Sequence, residues 1–250
     1  MPARAPRLSL SPAARAQLGI FLLAYLLYSA ARFVTIGDLG VAQANADWIM
    51  DLEDKLNVAV EATVQQGLTG TWLLWVLNHL YLAAQLVVLP GSLIFLYRRS
   101  RPLYERLRNT ILATWVLSIP IYAAFPVAPP RLADSGLVDT ITTQTGVALD
   151  SSLTTSFYNE LAAVPSLHVG FAVVIGIIVA AAIRTRPLKL AWLLWGPAIG
   201  LAVVATGNHY VFDIAAGVVA AGLGYALGAA VARATPRPRR TAPRTAFAEA

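Results

Sequence analysis

Two histidines and one aspartate have the types and spacing needed for chemistry on a phosphate group. Asp213 follows His209 by four residues. Residues four apart share one helix face, so the Asp213 carboxylate can accept a hydrogen bond from one ring nitrogen of His209. The other nitrogen is then free as a nucleophile or base. With His168 as a second imidazole, one histidine can attack phosphorus while the other protonates the leaving oxygen.

A phosphate also needs positive charge or backbone N–H groups around its oxygens. Arg131 follows a Pro-Pro pair in the loop leading toward His168, and we expect it to bind phosphate. Helix N-termini near Pro165 and Tyr210 would add partial positive charge. A lone histidine at a helix end is usually an interfacial or capping residue. Two such histidines, an aspartate within an apolar segment and an arginine, in a chain with only 13% charged residues, favour a functional site.

Long apolar segments must position these residues, because 57% of the chain is hydrophobic. Six segments are candidates to cross the hydrocarbon core as helices. They are residues 18–31, 71–97, 111–125, 165–183, 190–206 and 210–231. We therefore predict an all-α polytopic membrane protein, a six-transmembrane-helix bundle with an outer amphipathic helix.

The domain organisation follows from these segments. We predict a cytoplasmic N-terminal segment (1–17), a membrane domain (18–231) and a basic, disordered cytoplasmic tail (232–250). Residues 44–61 are predicted to form the amphipathic helix, with Ile49, Leu52, Leu56 and Val60 along its apolar face.

The distribution of charge predicts the topology. Lys and Arg cluster before the first segment and after the second, fourth and sixth, whereas ten of the thirteen acidic residues lie in the alternate loops. Positive clusters mark cytoplasmic loops. Both termini should therefore be cytoplasmic and the site non-cytoplasmic, in a protein of the plasma membrane.

Composition also limits the partners. The absence of cysteine excludes disulfides and cysteine-ligated metals. The pI of about 9.9 is compatible with nucleic-acid binding, but the cations lie in short clusters between apolar segments. We expect no nucleic-acid partner, and anionic lipid headgroups at the basic tail. His79, Asn78, Tyr81 and Gln85 are predicted to make interhelical hydrogen bonds within the second segment.

The segment Pro165-Ser166-Leu167-His168 and the pair His209 and Asp213 resemble two motifs of the type 2 phosphatidic acid phosphatase superfamily. The motifs of that superfamily are KxxxxxxRP, PSxH and SRxxxxxHxxxD. The local sequence, including residues 125–131, looks most like the branch of inositol phosphorylceramide synthases and their bacterial relatives. The resemblance covers roughly residues 126–217.

The resemblance implies a reaction through a phosphohistidine that needs no metal and no cofactor. In it His209 attacks, Asp213 orients His209, His168 protonates the leaving group, and Arg131 with Ser166 binds phosphate. The substrate would be a membrane lipid phosphate, for which Arg32, Asn208 and Tyr210 are further candidate binding residues.

The sequence departs from the motifs of the superfamily at two cations. No lysine precedes Arg131 at the expected spacing, and Val203 stands where the third motif has arginine. Less positive charge favours a phosphodiester or a headgroup transfer over a phosphomonoester. A lipid phosphate or pyrophosphate phosphatase remains an alternative, as does a non-catalytic lipid transporter or scaffold. The sequence leaves inositol, prenyl, glycerolipid and sugar-linked phosphates open.

Overall fold

Helices make up most of the computed structural model, which describes residues 11–34, 37–149, 151 and 159–234. In chain order they are α1 (Pro12–Val34), α2 (Leu39–Leu56), α3 (Glu61–Leu68), α4 (Trp72–Ala83), α5 (Leu89–Arg99), α6 (Arg101–Ala124), α7 (Thr140–Thr145), α8 (Leu167–Ala182), α9 (Arg186–Leu193), α10 (Trp195–Ala205) and α11 (Val211–Ala234). A π-helical turn, Ala84–Val88, joins α4 to α5, and a 3₁₀ turn, Pro130–Leu132, precedes α7. The described residues form no β-strand, so the all-α prediction is confirmed.

Among the described residues, four helical stretches are long and apolar enough to cross a membrane. They are Pro12–Ala31, Trp72–Arg99, Arg186–Ala205 and Val211–Ala234. Helix α8 is apolar but only 16 residues long, because Ser166 caps its N-terminus and Ile183 ends it. Helix α6 is long, but its first two turns carry Arg101, Glu105, Arg106 and Arg108. The chain is thus a helical membrane protein whose described part contains four candidate spans, and the expected six are not confirmed.

Small residues allow α8 and α11 to approach each other closely. A Cβ on Gly170 of α8 would lie 2.6 Å from the Gly217 carbonyl oxygen of α11. In the same contact, the main-chain N–H of Ser166 donates to the main-chain carbonyl of Asp213, with an N···O distance of 3.1 Å. Close helix packing through glycine is common in membrane proteins. It brings the two histidine-bearing segments together.

Helix α2 contradicts part of the amphipathic pattern expected for residues 44–61. Its buried residues are Ala42, Ala46, Ile49 and Glu53, whereas Leu56 is 61% exposed. The helix ends at Leu56 because Asn57 adopts the left-handed conformation, so Val60 lies outside it. Ile49 is buried as predicted. The buried face continues through Glu53 because this carboxylate accepts from the Phe212 N–H of α11, which a hydrophobic pattern does not reveal.

Polar side chains of α3 and α4 bind the loop between α6 and α8. Gln65 of α3 bonds both the N–H and the carbonyl of Val138, and it also donates to the Ala205 carbonyl. Asn78 of α4 accepts from Thr140 of α7 at 2.8 Å. The described first half of this loop is therefore held against α4 and the end of α10.

Candidate active site

The pair His209 and Asp213 has the geometry expected from its spacing. His209 lies just before α11, and Asp213 lies in its first turn. The Nδ1 of His209 is 3.1 Å from Oδ2 of Asp213, and the Tyr210 N–H donates to the same oxygen at 2.9 Å. Both side chains are buried. Because Asp213 engages Nδ1, the Nε2 of His209 is the ring nitrogen available for attack on phosphorus.

His168 lies on the facing helix, as the second residue of α8. Its ring centroid is 6.2 Å from that of His209, with 55° between the ring planes. The hydroxyl of Ser166 is fully buried and caps α8 by accepting from the Val169 N–H at 3.5 Å. The structure thus brings His168, Ser166, His209 and Asp213 into one cluster, although their sequence positions are far apart.

Arg131 lies next to the same cluster. Its main-chain N–H donates to the Gly207 carbonyl at 2.9 Å, and its Nε donates to Oδ1 of Asn208 at 3.2 Å. A guanidinium nitrogen of Arg131 also lies 3.6 Å from Oε1 of Glu160. Arg131 is therefore a buried cation beside the residue that precedes His209, and part of its charge is already balanced by a carboxylate.

The other three residues predicted to bind substrate are Asn208, Tyr210 and Arg32. Asn208 is buried, and its amide donates to the carbonyl and hydroxyl oxygens of Thr206. Tyr210 is 1% exposed and packs in the core with Ala46 and Ile49. Arg32 belongs to α1, but its side chain lies outside the described part of the structure, as do tail residues 235–250. Their roles in lipid binding stay predictions.

Two buried glutamates were missed as parts of the site. Glu53 of α2 accepts from the Phe212 N–H at 2.5 Å, and Glu61 of α3 accepts from the Val211 N–H at 2.8 Å. The first N–H groups of a helix have no partner within it, and a carboxylate there also interacts favourably with the helix dipole. These contacts hold the start of α11 beside His209. The signal in the sequence was that Glu53 follows the apolar residue Ile49 by four positions, which places both on one face of the helix.

Burial raises the pKa of Glu53 to about 8, and the neighbouring Glu61 contributes, whereas the bond from Phe212 opposes the shift. The folded protein therefore retains a proton that the unfolded chain loses near pH 4.5. We expect stability to fall as pH rises from about 4.5 to about 8. Glu53→Gln should flatten this fall, with Tm changes of a few degrees. Thermal unfolding in detergent between pH 4.5 and 8 checks this prediction. Asp54→Asn, which changes an exposed carboxylate of the same helix, is the control. A Glu53→Gln variant with the same dependence of Tm on pH as the wild type would contradict the prediction.

The polar residues of α4 follow the expected interhelical pattern only in part. Asn78 makes interhelical hydrogen bonds, to Thr140 and Gln144 of α7. Nδ1 of His79 instead bonds the Trp75 carbonyl of its own helix at 2.7 Å, and the ring of Tyr81 stacks on His168. Nothing in the sequence pattern distinguishes a stacking tyrosine from a hydrogen-bonding one. Tyr81 is therefore a site neighbour found only in the structure.

One known protein family matches most of the chain. A family model described as the PAP2 superfamily matches residues 47–227, which include every histidine of the chain, Asp213 and Arg131. No curated protein and no solved structure matches the chain.

Proposed function

Because the chain belongs to the PAP2 superfamily, we propose that it cleaves or transfers a phosphate-bearing lipid headgroup through a phosphohistidine, in the manner of an inositol phosphotransferase. The superfamily supports a phosphatase or phosphotransferase acting on lipid-like phosphates. The observation that carries the proposal is the approach of two imidazoles, 6.2 Å apart, with Asp213 engaging one of them.

In the first step, Nε2 of His209 forms a bond to phosphorus as the bond from phosphorus to the leaving oxygen breaks. Asp213 accepts the Nδ1–H hydrogen bond and stabilises the positive charge that develops on the ring. His168 gives its proton to the leaving oxygen. A general acid of this kind contributes about 10²- to 10⁴-fold in rate.

In the second step, His168 removes a proton from an acceptor hydroxyl, and the acceptor oxygen attacks phosphorus. The bond from phosphorus to nitrogen breaks, which returns His209 to its starting state. Water as acceptor gives hydrolysis, and a lipid or sugar alcohol gives transfer. The same two histidines serve both outcomes.

The charge around Arg131 favours a phosphodiester substrate. Arg131 shares its guanidinium with Glu160 and Asn208, and Val203 is fully buried where the superfamily motif has arginine. A phosphodiester carries one negative charge, whereas a monoester carries up to two near neutral pH. Fewer cations therefore suit the diester better. A lipid phosphate or pyrophosphate phosphatase is the alternative.

We further propose six membrane crossings, by α1, α4 with α5, α6, α8, α9 with α10, and α11, with both termini cytoplasmic in the plasma membrane. The histidines would then lie on the non-cytoplasmic side. The chain has no cysteine, so Thr143→Cys and Thr185→Cys can be labelled singly. An impermeant thiol reagent should modify the first from outside and not the second; the reverse result would place the site in the cytoplasm.

Product analysis tests the reaction. Purified protein in chelator is compared with His209→Ala on phosphatidylinositol, phosphatidic acid and a prenyl pyrophosphate. We expect His209-dependent release or transfer of phosphoinositol from the first, without inorganic phosphate. Inorganic phosphate from the other two would establish the phosphatase instead. Lipid binding without turnover of any of the three would favour a non-catalytic transporter or scaffold.

A further inference from the structure

The ring of Tyr81 lies face to face with the imidazole of His168. The two ring centroids are 4.1 Å apart and the ring planes differ by 17°. Tyr81 is 9% exposed and belongs to the apolar cluster that also contains Val169 and Val203. Neighbours on α8 and α10 therefore fix the tyrosine ring, and the tyrosine ring in turn forms a flat surface under His168.

The two histidines of the site are held in different ways. Asp213 orients His209 through a hydrogen bond to Nδ1. Within the described part of the chain, no hydrogen bond reaches either ring nitrogen of His168, and its ring contacts are the stack with Tyr81 and the approach to His209. The stack is thus the contact that sets the plane of His168.

We propose that Tyr81 is the positioning residue of His168, an inference that rests on the proposed function. The stack aligns the ring edge of His168 with the leaving oxygen. The negative face of the aromatic ring also attracts a cation, so it stabilises the imidazolium form that donates the proton. Tyr81 itself gains and loses no proton. The proton moves from His168 to the leaving oxygen as the bond from phosphorus to that oxygen breaks.

This role predicts a dependence on the leaving group. An alkoxide such as that of diacylglycerol is a poor leaving group and needs the proton from His168. The p-nitrophenolate ion is stable without a proton, so its departure needs little help from a general acid. Because His168 also serves as the base of the second step, the comparison concerns the first step alone. Loss of the stack should slow departure of the leaving group from an alkyl ester and leave the first-turnover release of p-nitrophenolate from an ester with the same phosphoryl group almost unchanged.

The experiment compares Tyr81→Leu and Tyr81→Phe on two matched probe pairs. One pair is phosphatidylinositol and p-nitrophenyl phosphoinositol; the other is phosphatidic acid and p-nitrophenyl phosphate. For the pair that the wild type turns over, Tyr81→Leu should lose about 10- to 100-fold on the lipid and less than about 3-fold in the first-turnover release of p-nitrophenolate. Tyr81→Phe retains the ring and should recover most of the loss. If it loses as much as Tyr81→Leu, the hydroxyl matters instead and the proposal is overturned.

Two further measurements separate positioning from general damage. In a His168→Ala background, adding Tyr81→Leu should cost nothing more on the lipid, because the two residues act as one unit. The control is Tyr104→Leu, which replaces a buried tyrosine near the start of α6. Tyr122 of the same helix lies beside the site, where its hydroxyl donates to the Pro165 carbonyl, and Tyr104 is about 27 Å along the helix from it. Equal losses on both probes, or additive losses in the double variant, would overturn the positioning role. Absence of His209-dependent turnover in the wild type would instead defeat the proposed function itself.

Discussion

Replacing His209 by alanine should lower lipid turnover on the order of 10⁴-fold or more, the scale on which loss of a covalent nucleophile is felt in other enzymes. The physical reason is that no other side chain described around the site offers a ring nitrogen paired to a carboxylate. The variant should also fail to form an acid-labile, base-stable phosphoenzyme. With a substrate that carries a radiolabelled phosphoryl group, labelled product measures turnover. Label retained by the protein after rapid quenching without acid measures the phosphoenzyme.

His168→Ala is the matched control for this prediction. With a p-nitrophenyl ester it retains the nucleophile and needs no acid for the first step, but it lacks the base for the second. Phosphoenzyme should therefore accumulate in His168→Ala and be absent in His209→Ala. Labelling that persists at the wild-type level in His209→Ala would assign the nucleophile to another residue.

Gly217→Ala should reduce activity about 100-fold, as expected when reacting groups are displaced by about 1 Å. A Cβ at this position would overlap the Ser166 carbonyl oxygen and lie 3.2 Å from the Ser166 nitrogen. Both obstacles are main-chain atoms, so no side-chain rotation relieves them. The start of α8 would have to move away from α11, and the bond from the Ser166 N–H to the Asp213 carbonyl would lengthen. Overpacking of this kind also costs about 1–3 kcal/mol of stability.

Gly222→Ala provides the control on the same helix. A Cβ there meets nothing within 4 Å, and alanine is a better helix former than glycine. Its activity and Tm should match or exceed those of the wild type. Turnover assays and thermal unfolding of the two variants check the pair, and comparable activity in both would show that the separation of α8 and α11 does not limit the reaction.

The sequence predicted the helical class and the membrane character because both depend on runs of apolar residues, which are local. It was less successful at the boundaries of the helices. Hydropathy predicted a membrane segment only at residues 111–125, whereas the charged residues before it and the apolar residues up to Ala124 form one continuous helix, α6. The burial of Glu53 was also missed, because it depends on the N–H group of a residue 159 positions later in the chain.

The pairing of His209 with Asp213 followed from a four-residue spacing, which is geometry within one segment. The meeting of His168 with His209 required the motif resemblance, since nothing local joins residues on different helices. Tyr81 could not be found by either route. Its stack on His168 depends on the rotation of α4 about its own axis, which is set by packing against α8 and α10.

The hydrogen bond between the main chains of Ser166 and Asp213 has a practical consequence for identifying the lipid. It joins the two histidine-bearing segments through main-chain atoms, which replacement of a histidine side chain does not remove. Removal of either imidazole therefore leaves the frame of the site in place. An inactive variant such as His209→Ala can serve as a substrate trap, and the lipid that it retains through purification from native membranes can be read directly by mass spectrometry.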